Sequence, residues 1–251
     1  MNKLTKAGFA GLFLSLTAVL ASCGSSSETS SDTVAVTADV FPVTVGDLTL
    51  DAQPTRIISL SPTATEMLYA IGAGSQVVAV DEYSNYPAEA VALGTPLSGF
   101  EPNIEAISGY TPDLVIISYD PGSLVEQLST LDIPVFVAGA AMSIENVYEQ
   151  IEQLGVLTGN SQKAVEVSKS LQTGIEDAVA SVQFSEPPLS YYYELDNTYY
   201  SVTSNTFIGQ IFNLFGMRNI ADNVESGNDY PQLSAEVIVS ADPDFIFLAD
   251  T

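Results

Sequence analysis

One unit occurs twice in this chain, and it limits the fold more than any single motif does. In the first copy Asn103-Ile104-Glu105-Ala106-Ile107 leads to Pro112-Asp113 and the apolar run Leu114-Val115-Ile116-Ile117. In the second, Ser234-Ala235-Glu236-Val237-Ile238 leads to Pro243-Asp244 and Phe245-Ile246-Phe247-Leu248. The offset is 131 residues at both the Glu (105 to 236) and the Asp (113 to 244). A capping residue, an early acid, a turn and a short apolar run read as helix, turn and strand. Such units are common in α/β proteins, so chance similarity is the plain alternative. A looser pair supports the repeat: an apolar helix over residues 63–71 closed by Gly72, and another over 206–215 closed by Gly216.

The rest of the pattern fits two α/β lobes joined by helix. Residues 41–50 alternate apolar and polar with Gly46-Asp47 at the centre, which predicts a short hairpin. Short apolar runs at 57–60, 77–80, 114–117 and 135–137 alternate with helical stretches, as in a parallel sheet. From Ile144 the period becomes helical: Ile144, Val147, Ile151 and Leu154 share a face, and Gly159-Asn160 breaks it. A second helix of about 20 residues carries Ala164, Val167, Leu171, Ile175 and Val179. Glu186-Pro187-Pro188 ends the helical region, and strand character returns at 189–195.

Lys3 and Lys6 precede an uncharged apolar run at 7–21, followed by Leu20-Ala21-Ser22-Cys23. The run is shorter than the roughly 20 residues that span a bilayer, and its order of parts is that of a secretory signal. The ending resembles the lipobox of bacterial lipoproteins, which implies lipidation of Cys23. An ordinary signal peptide with an incidental cysteine is the alternative. Residues 1–22 would then be a signal peptide, 23–39 a Ser- and Thr-rich tether, 40–142 an N-terminal lobe, 143–185 a helical bridge and 186–251 a C-terminal lobe.

Composition removes several functions. There is no His and only one Cys, which excludes His-based catalytic triads, thiolate clusters and internal disulfides. No spaced set of metal ligands is visible. Six basic residues face 31 acidic ones, and loss of the leader leaves 4 against 31, a formal charge of −27. Binding to a nucleic-acid backbone is excluded on that balance. Gly72-Ala73-Gly74 ends a helix instead of opening one, so it is no nucleotide fingerprint.

The candidate site residues are aromatic and acidic. Tyr83 and Tyr86 follow a strand, Phe100 precedes the Glu105 helix, and Tyr200 follows the first strand of the second lobe. Ligands of parallel sheets bind at strand ends, and loop aromatics there suit a large ligand with apolar faces. Plain surface packing is the alternative for each of them. Glu105 and Glu236 sit in the first turns of their helices, where the helix dipole favours an acid by about 0.3–1 kcal/mol. The other reading makes them a pair of equivalent docking carboxylates, one per lobe.

The stretch RIISLSPTATEMLYAIGAGSQVVAVDEYSNYP (56–87) resembles the periplasmic-binding family that delivers cobalamin, ferric siderophores and haem to ABC importers. PNIEAISGYTPDLVI (102–116), SNTFIGQIFNLFGMRNIA (204–221) and YPQLSAEVIVSADPDFIFL (230–248) resemble it too. The resemblance implies an α/β fold of two Rossmann-like lobes bridged by a long helix, with ligand in the cleft between them. It implies docking of Glu105 and Glu236 to arginines of a permease dimer driven by its ATPase, and export to the outer face of the membrane. The EYSNYP loop looks most like that of the cobalamin binders, in which the tyrosine matching Tyr83 lines the cleft. Scarce cations favour a largely neutral corrinoid or ferric hydroxamate over an anionic chelate. A neutral hydroxamate or haem is the alternative within the fold, and a surface α/β enzyme the alternative outside it. No catalytic residue, resident cofactor or metal is expected. Family members usually continue beyond the strand at 245–248, and the segment 189–251 is shorter than 54–142, so an incomplete C-terminal lobe is expected.

Overall fold

The computed structural model describes residues 39–249. The leader, Cys23 and nearly all of the tether lie outside the described residues. The chain begins with the hairpin β1 (Val43–Val45) and β2 (Leu48–Leu50), antiparallel around Gly46-Asp47.

A first group of elements follows: β3 (Ile57–Leu60), α1 (Pro62–Ala70), β4 (Val77–Val80), α2 (Ala88–Val91), α3 (Ile104–Gly109), β5 (Leu114–Ile117), α4 (Leu124–Ser129) and β6 (Val135–Val137). Its four strands form one parallel sheet in the order β4-β3-β5-β6. Parallel neighbours need crossovers, and the helices supply them. Side-chain alternation sends Ile57, Leu114 and Ile116 into one core with Leu68 of α1, and Ile58, Leu60, Val115 and Ile117 into another with Ile107 of α3 and Leu128 of α4. All of these are nearly or fully buried. A sheet covered on both faces explains why its strands read as continuous apolar runs.

The helical stretch is two helices, α5 (Ile144–Thr158) and α6 (Ser161–Ala180), separated by Gly159-Asn160. Ile151, Leu154 and Leu157 of α5, and Ala164 of α6, pack into the core shared by β3 and β5. Half of the expected bridge is therefore part of the first sheet's cover, because its apolar face has a buried sheet to sit on.

The second group is β7 (Ser190–Glu194), α7 (Phe207–Leu214), β8 (Arg218–Asn219), α8 (Ala235–Ala241) and β9 (Phe245–Leu248). Its sheet is parallel, in the order β8-β7-β9. Tyr192 packs with Ala221, Leu233 and Ile238. Tyr191 stacks on Phe212 of α7, with ring centroids 4.3 Å apart, and its hydroxyl accepts from Asn219 Nδ2 at 3.0 Å. Burial, helped by the charge of Asp222, pushes the Tyr191 hydroxyl up to about 12.

Candidate ligand site

Parallel strands point their C-terminal ends the same way, so the loops leaving β4 and β5 open on one edge of the first sheet. Three aromatic residues meet there. Tyr83 meets Phe100 edge to face, with centroids 5.5 Å apart, and Phe100 lies 6.2 Å from Tyr119. All three remain exposed, at 54%, 62% and 44%. Together with Leu60, Asp81 and Ser118 they line a hollow of about 280 Å³. Large rings left open beside one another offer flat apolar contact area.

A buried polar chain lies beneath this hollow. Ser84 Oγ donates to Asp81 Oδ1 at 2.6 Å, Ser84 Oγ and Thr65 Oγ1 are 2.9 Å apart, and Thr65 Oγ1 donates to Ser59 Oγ at 2.8 Å. Each of these residues is buried. Burial pushes the Asp81 carboxyl above the usual range, while hydrogen bonds from the Ser84 hydroxyl and amide hold it down. The chain pins the loop at Ser84 and sends its neighbours different ways. Tyr83 turns to the aromatic hollow, whereas Tyr86 lines a separate hollow of about 730 Å³ with Glu66, Tyr69 and Glu89.

Tyr200 lies in the loop after β7, at the corresponding end of the second sheet. Its segment pairs with residues 229–233: Ser201 N donates to Pro231 O, Leu233 N to Tyr199 O, and Tyr200 bridges Gln232. That pairing brings Tyr230, also exposed, onto the same ribbon. Among the described residues no ring contact joins Tyr200 to the Tyr83 group. Asp81, Tyr119 and Tyr230 were not singled out by sequence reasoning. The rule that selected Tyr83, a side chain just past the end of a parallel strand, would have found Asp81 and Tyr119.

Glu105 and Glu236 take up equivalent positions. Asn103 Oδ1 caps α3 by accepting from Ala106 N at 2.9 Å, and Ser234 Oγ caps α8 by accepting from Val237 N at 3.2 Å. Both carboxylates are exposed. Hydrogen bonds from its own amide and the Ser234 hydroxyl hold the Glu236 carboxyl below its usual range. Among the described residues the one ion pair is Lys163–Glu166, 3.3 Å, so neither carboxylate is neutralised there. Arg56 is spent on backbone, its Nη2 donating to Tyr110 O at 2.6 Å and its Nε to Thr111 O at 3.2 Å. Among the described residues no cation lines the aromatic hollow. Among the described residues no cluster of acids could hold a metal ion, and no helix is long and apolar enough to cross a membrane.

A family model described as "Periplasmic binding protein" matches residues 57–251. A cobalamin-binding protein of Halobacterium salinarum is 37% identical over 218 residues, covering 82% of this chain and 58% of that protein. The chain thus spans less than two thirds of that relative's length. The crystal structure of the periplasmic vitamin B12-binding protein BtuF of Vibrio cholerae aligns at 30% identity with a TM-score of 0.62, covering 78% of this chain and 77% of that one. The periplasmic heme-binding protein HutB of Vibrio cholerae aligns at 26% identity with a TM-score of 0.67, covering 77% and 76%.

Proposed function

Because the chain belongs to the periplasmic binding protein family, we propose that it is the substrate-binding lipoprotein of an ABC importer, and that its ligand is a corrinoid. Members of this family bind solutes and do not act as enzymes. The observation that carries the ligand reading is the aromatic hollow at the strand ends, open, apolar and free of cations. A corrin ring is broad and largely uncharged, so aromatic faces can hold it without ion pairing. Tyr83 and Phe100, joined by Tyr119, form the contact surface of the first sheet, and Tyr200 with Tyr230 that of the second. Tyr86, on the other hollow, is left out of this surface. The relatives named for cobalamin and vitamin B12 support the same ligand.

Haem is the second reading, favoured by the alignment with a heme-binding structure. Its propionates are anionic and would ordinarily call for Arg or Lys, which the hollow lacks. A neutral ferric hydroxamate meets no such objection and is the third ligand to test. Docking to the permease is assigned to Glu105 and Glu236, exposed and unpaired as a docking carboxylate should be. Lipidated Cys23 anchors the exported protein to the outer face of the membrane.

Calorimetric titration with cyanocobalamin, hemin and a ferric hydroxamate tests the reading. Saturable heat with cyanocobalamin is expected, together with a rise in melting temperature; neither effect with cyanocobalamin but both with hemin would replace the corrinoid by haem. In cells, reversing the charge of Glu105 and Glu236 should stop uptake and leave ligand affinity unchanged. A loss of affinity would move those residues from docking to the ligand site.

A further inference from the structure

Among the described residues Asp81 is the one ionisable group in the wall of the aromatic hollow apart from the tyrosine hydroxyls, and it is only 4% exposed. An acid buried to this degree normally has a cation or a full set of donors. Among the described residues no cation pairs with Asp81, and its donors are the Ser84 hydroxyl and nearby backbone amides. Its Oδ1 accepts from Ser84 Oγ, and Oδ2 has no side-chain donor. The Ser84–Thr65–Ser59 chain fixes the carboxylate from below, so its second oxygen has a set direction.

The residue beside it is Gly99. A Cβ at that position would stand 3.0 Å from Asp81 Oδ2 and 2.8 Å from Leu60 O. Any side chain there would crowd Oδ2, the oxygen without a side-chain donor, so the glycine leaves its approach open. The neighbouring Phe100 then supplies an apolar wall. A buried acid, held rigidly by its neighbours, without a cation beside it and with one oxygen free of side-chain donors at a ligand hollow, is the pattern of a group kept for binding.

We infer that Asp81 selects the ligand: its Oδ2 accepts a hydrogen bond from an N–H of a carboxamide-bearing ring system, and its charge repels a carboxylate-bearing one. This inference rests on the corrinoid reading and deepens it. Corrinoids carry peripheral primary carboxamides, which are N–H donors, whereas the propionates of haem would meet Asp81 with like charge and no proton to share. A site built around a fixed acceptor rejects an analogue that lacks the donor more strongly than any apolar pocket can.

The test compares three probes: cobinamide, which keeps the carboxamides; cobyrinic acid heptamethyl ester, the same ring with esters and no N–H; and hemin. The wild-type chain should bind cobinamide at least about tenfold more tightly than the ester. In Asp81→Leu that ratio should fall to within about threefold, and Asp81→Asn should bind hemin more tightly than wild type does. Asn is nearly isosteric, so it remains informative should the Leu variant fail to fold, as judged by its melting curve. Ser84→Ala removes the hydroxyl that holds the carboxylate, so it should lower the cobinamide-to-ester ratio, whereas a purely structural loosening of the loop would weaken cobinamide and ester alike. An ester discrimination that persists in both Asp81 variants overturns the proposal and leaves the corrinoid reading intact. Wild-type protein that takes up neither corrinoid overturns both.

Discussion

Asp113 and Asp244 do the same work in the two sheets. Asp113 accepts the amides of Thr55 and Arg56 just before β3, each at 2.8 Å, and Asp244 accepts the amide of Ser190 at the start of β7 at 2.7 Å. Each Asp precedes its own strand, β5 or β9, and ties it to the neighbour in the sheet. What surrounds the two clamps differs. Every residue of β5 is buried, whereas Phe245, Ile246 and Leu248 of β9 are each about half exposed. The same local grammar therefore builds the same unit, and burial is decided elsewhere, by whether helices cover both faces.

The largest test of that separation is truncation in the two strands. Ile116→Ala should destabilise by about 2–5 kcal/mol, since it opens a cavity in a sealed core. Ile246→Ala should stay below about 1 kcal/mol, since its side chain is 55% exposed. Urea unfolding measures both, and equal losses would mean that β9 is covered in solution.

A smaller effect comes from the third residue after each capping hydroxyl. Ser61 caps α1 through the amide of Ala64, and Thr206 caps α7 through the amide of Gly209. Alanine is at home in the first case and excluded in the second, where a Cβ would collide with the carbonyl oxygen of Thr203. Gly209→Ala should cost about 1–3 kcal/mol through overpacking, and thermal unfolding checks it. A neutral result would mean that the 203–204 backbone can withdraw.

The smallest effect concerns acid. Hydrogen bonds from the Ser190 amide and hydroxyl hold the Asp244 carboxyl below the ordinary value of 3.8. A depressed folded-state value means that the charged form stabilises the fold. That contribution is complete above 3.8 and fades as the pH falls through the folded-state value. Asp244→Asn should therefore melt lower than wild type at neutral pH, with the gap closing as the pH is taken below 3.8. A gap of constant size would show that the hydrogen bonds are kept by the amide and that charge is irrelevant.

Much of the architecture was legible because it is written locally. The hairpin at Gly46-Asp47, the strands at 57–60, 77–80, 114–117 and 135–137, and the caps at Asn103 and Ser234 are short-range features of the chain. Tyr83 and Phe100, separate candidates 17 residues apart in the sequence, meet ring to ring. Tyr86 lies elsewhere, on a different hollow from Tyr83. Three residues from Tyr83, it was grouped with it, but Ser84 is anchored inward between them, and a loop pinned at its middle separates its flanks. An acid at a strand end is common, and only the burial of Asp81 without a cation beside it makes it unusual. The place of α5 in the first core depends on long-range packing that no periodicity displays.

The two aspartate clamps sit where strands begin, whereas the aromatic and acidic side chains of the site sit where strands finish. Scaffold and proposed recognition surface thus occupy opposite margins of the first sheet and share few residues. A lineage carrying this arrangement can rewrite its loops in pursuit of a new nutrient without first loosening the frame that displays them.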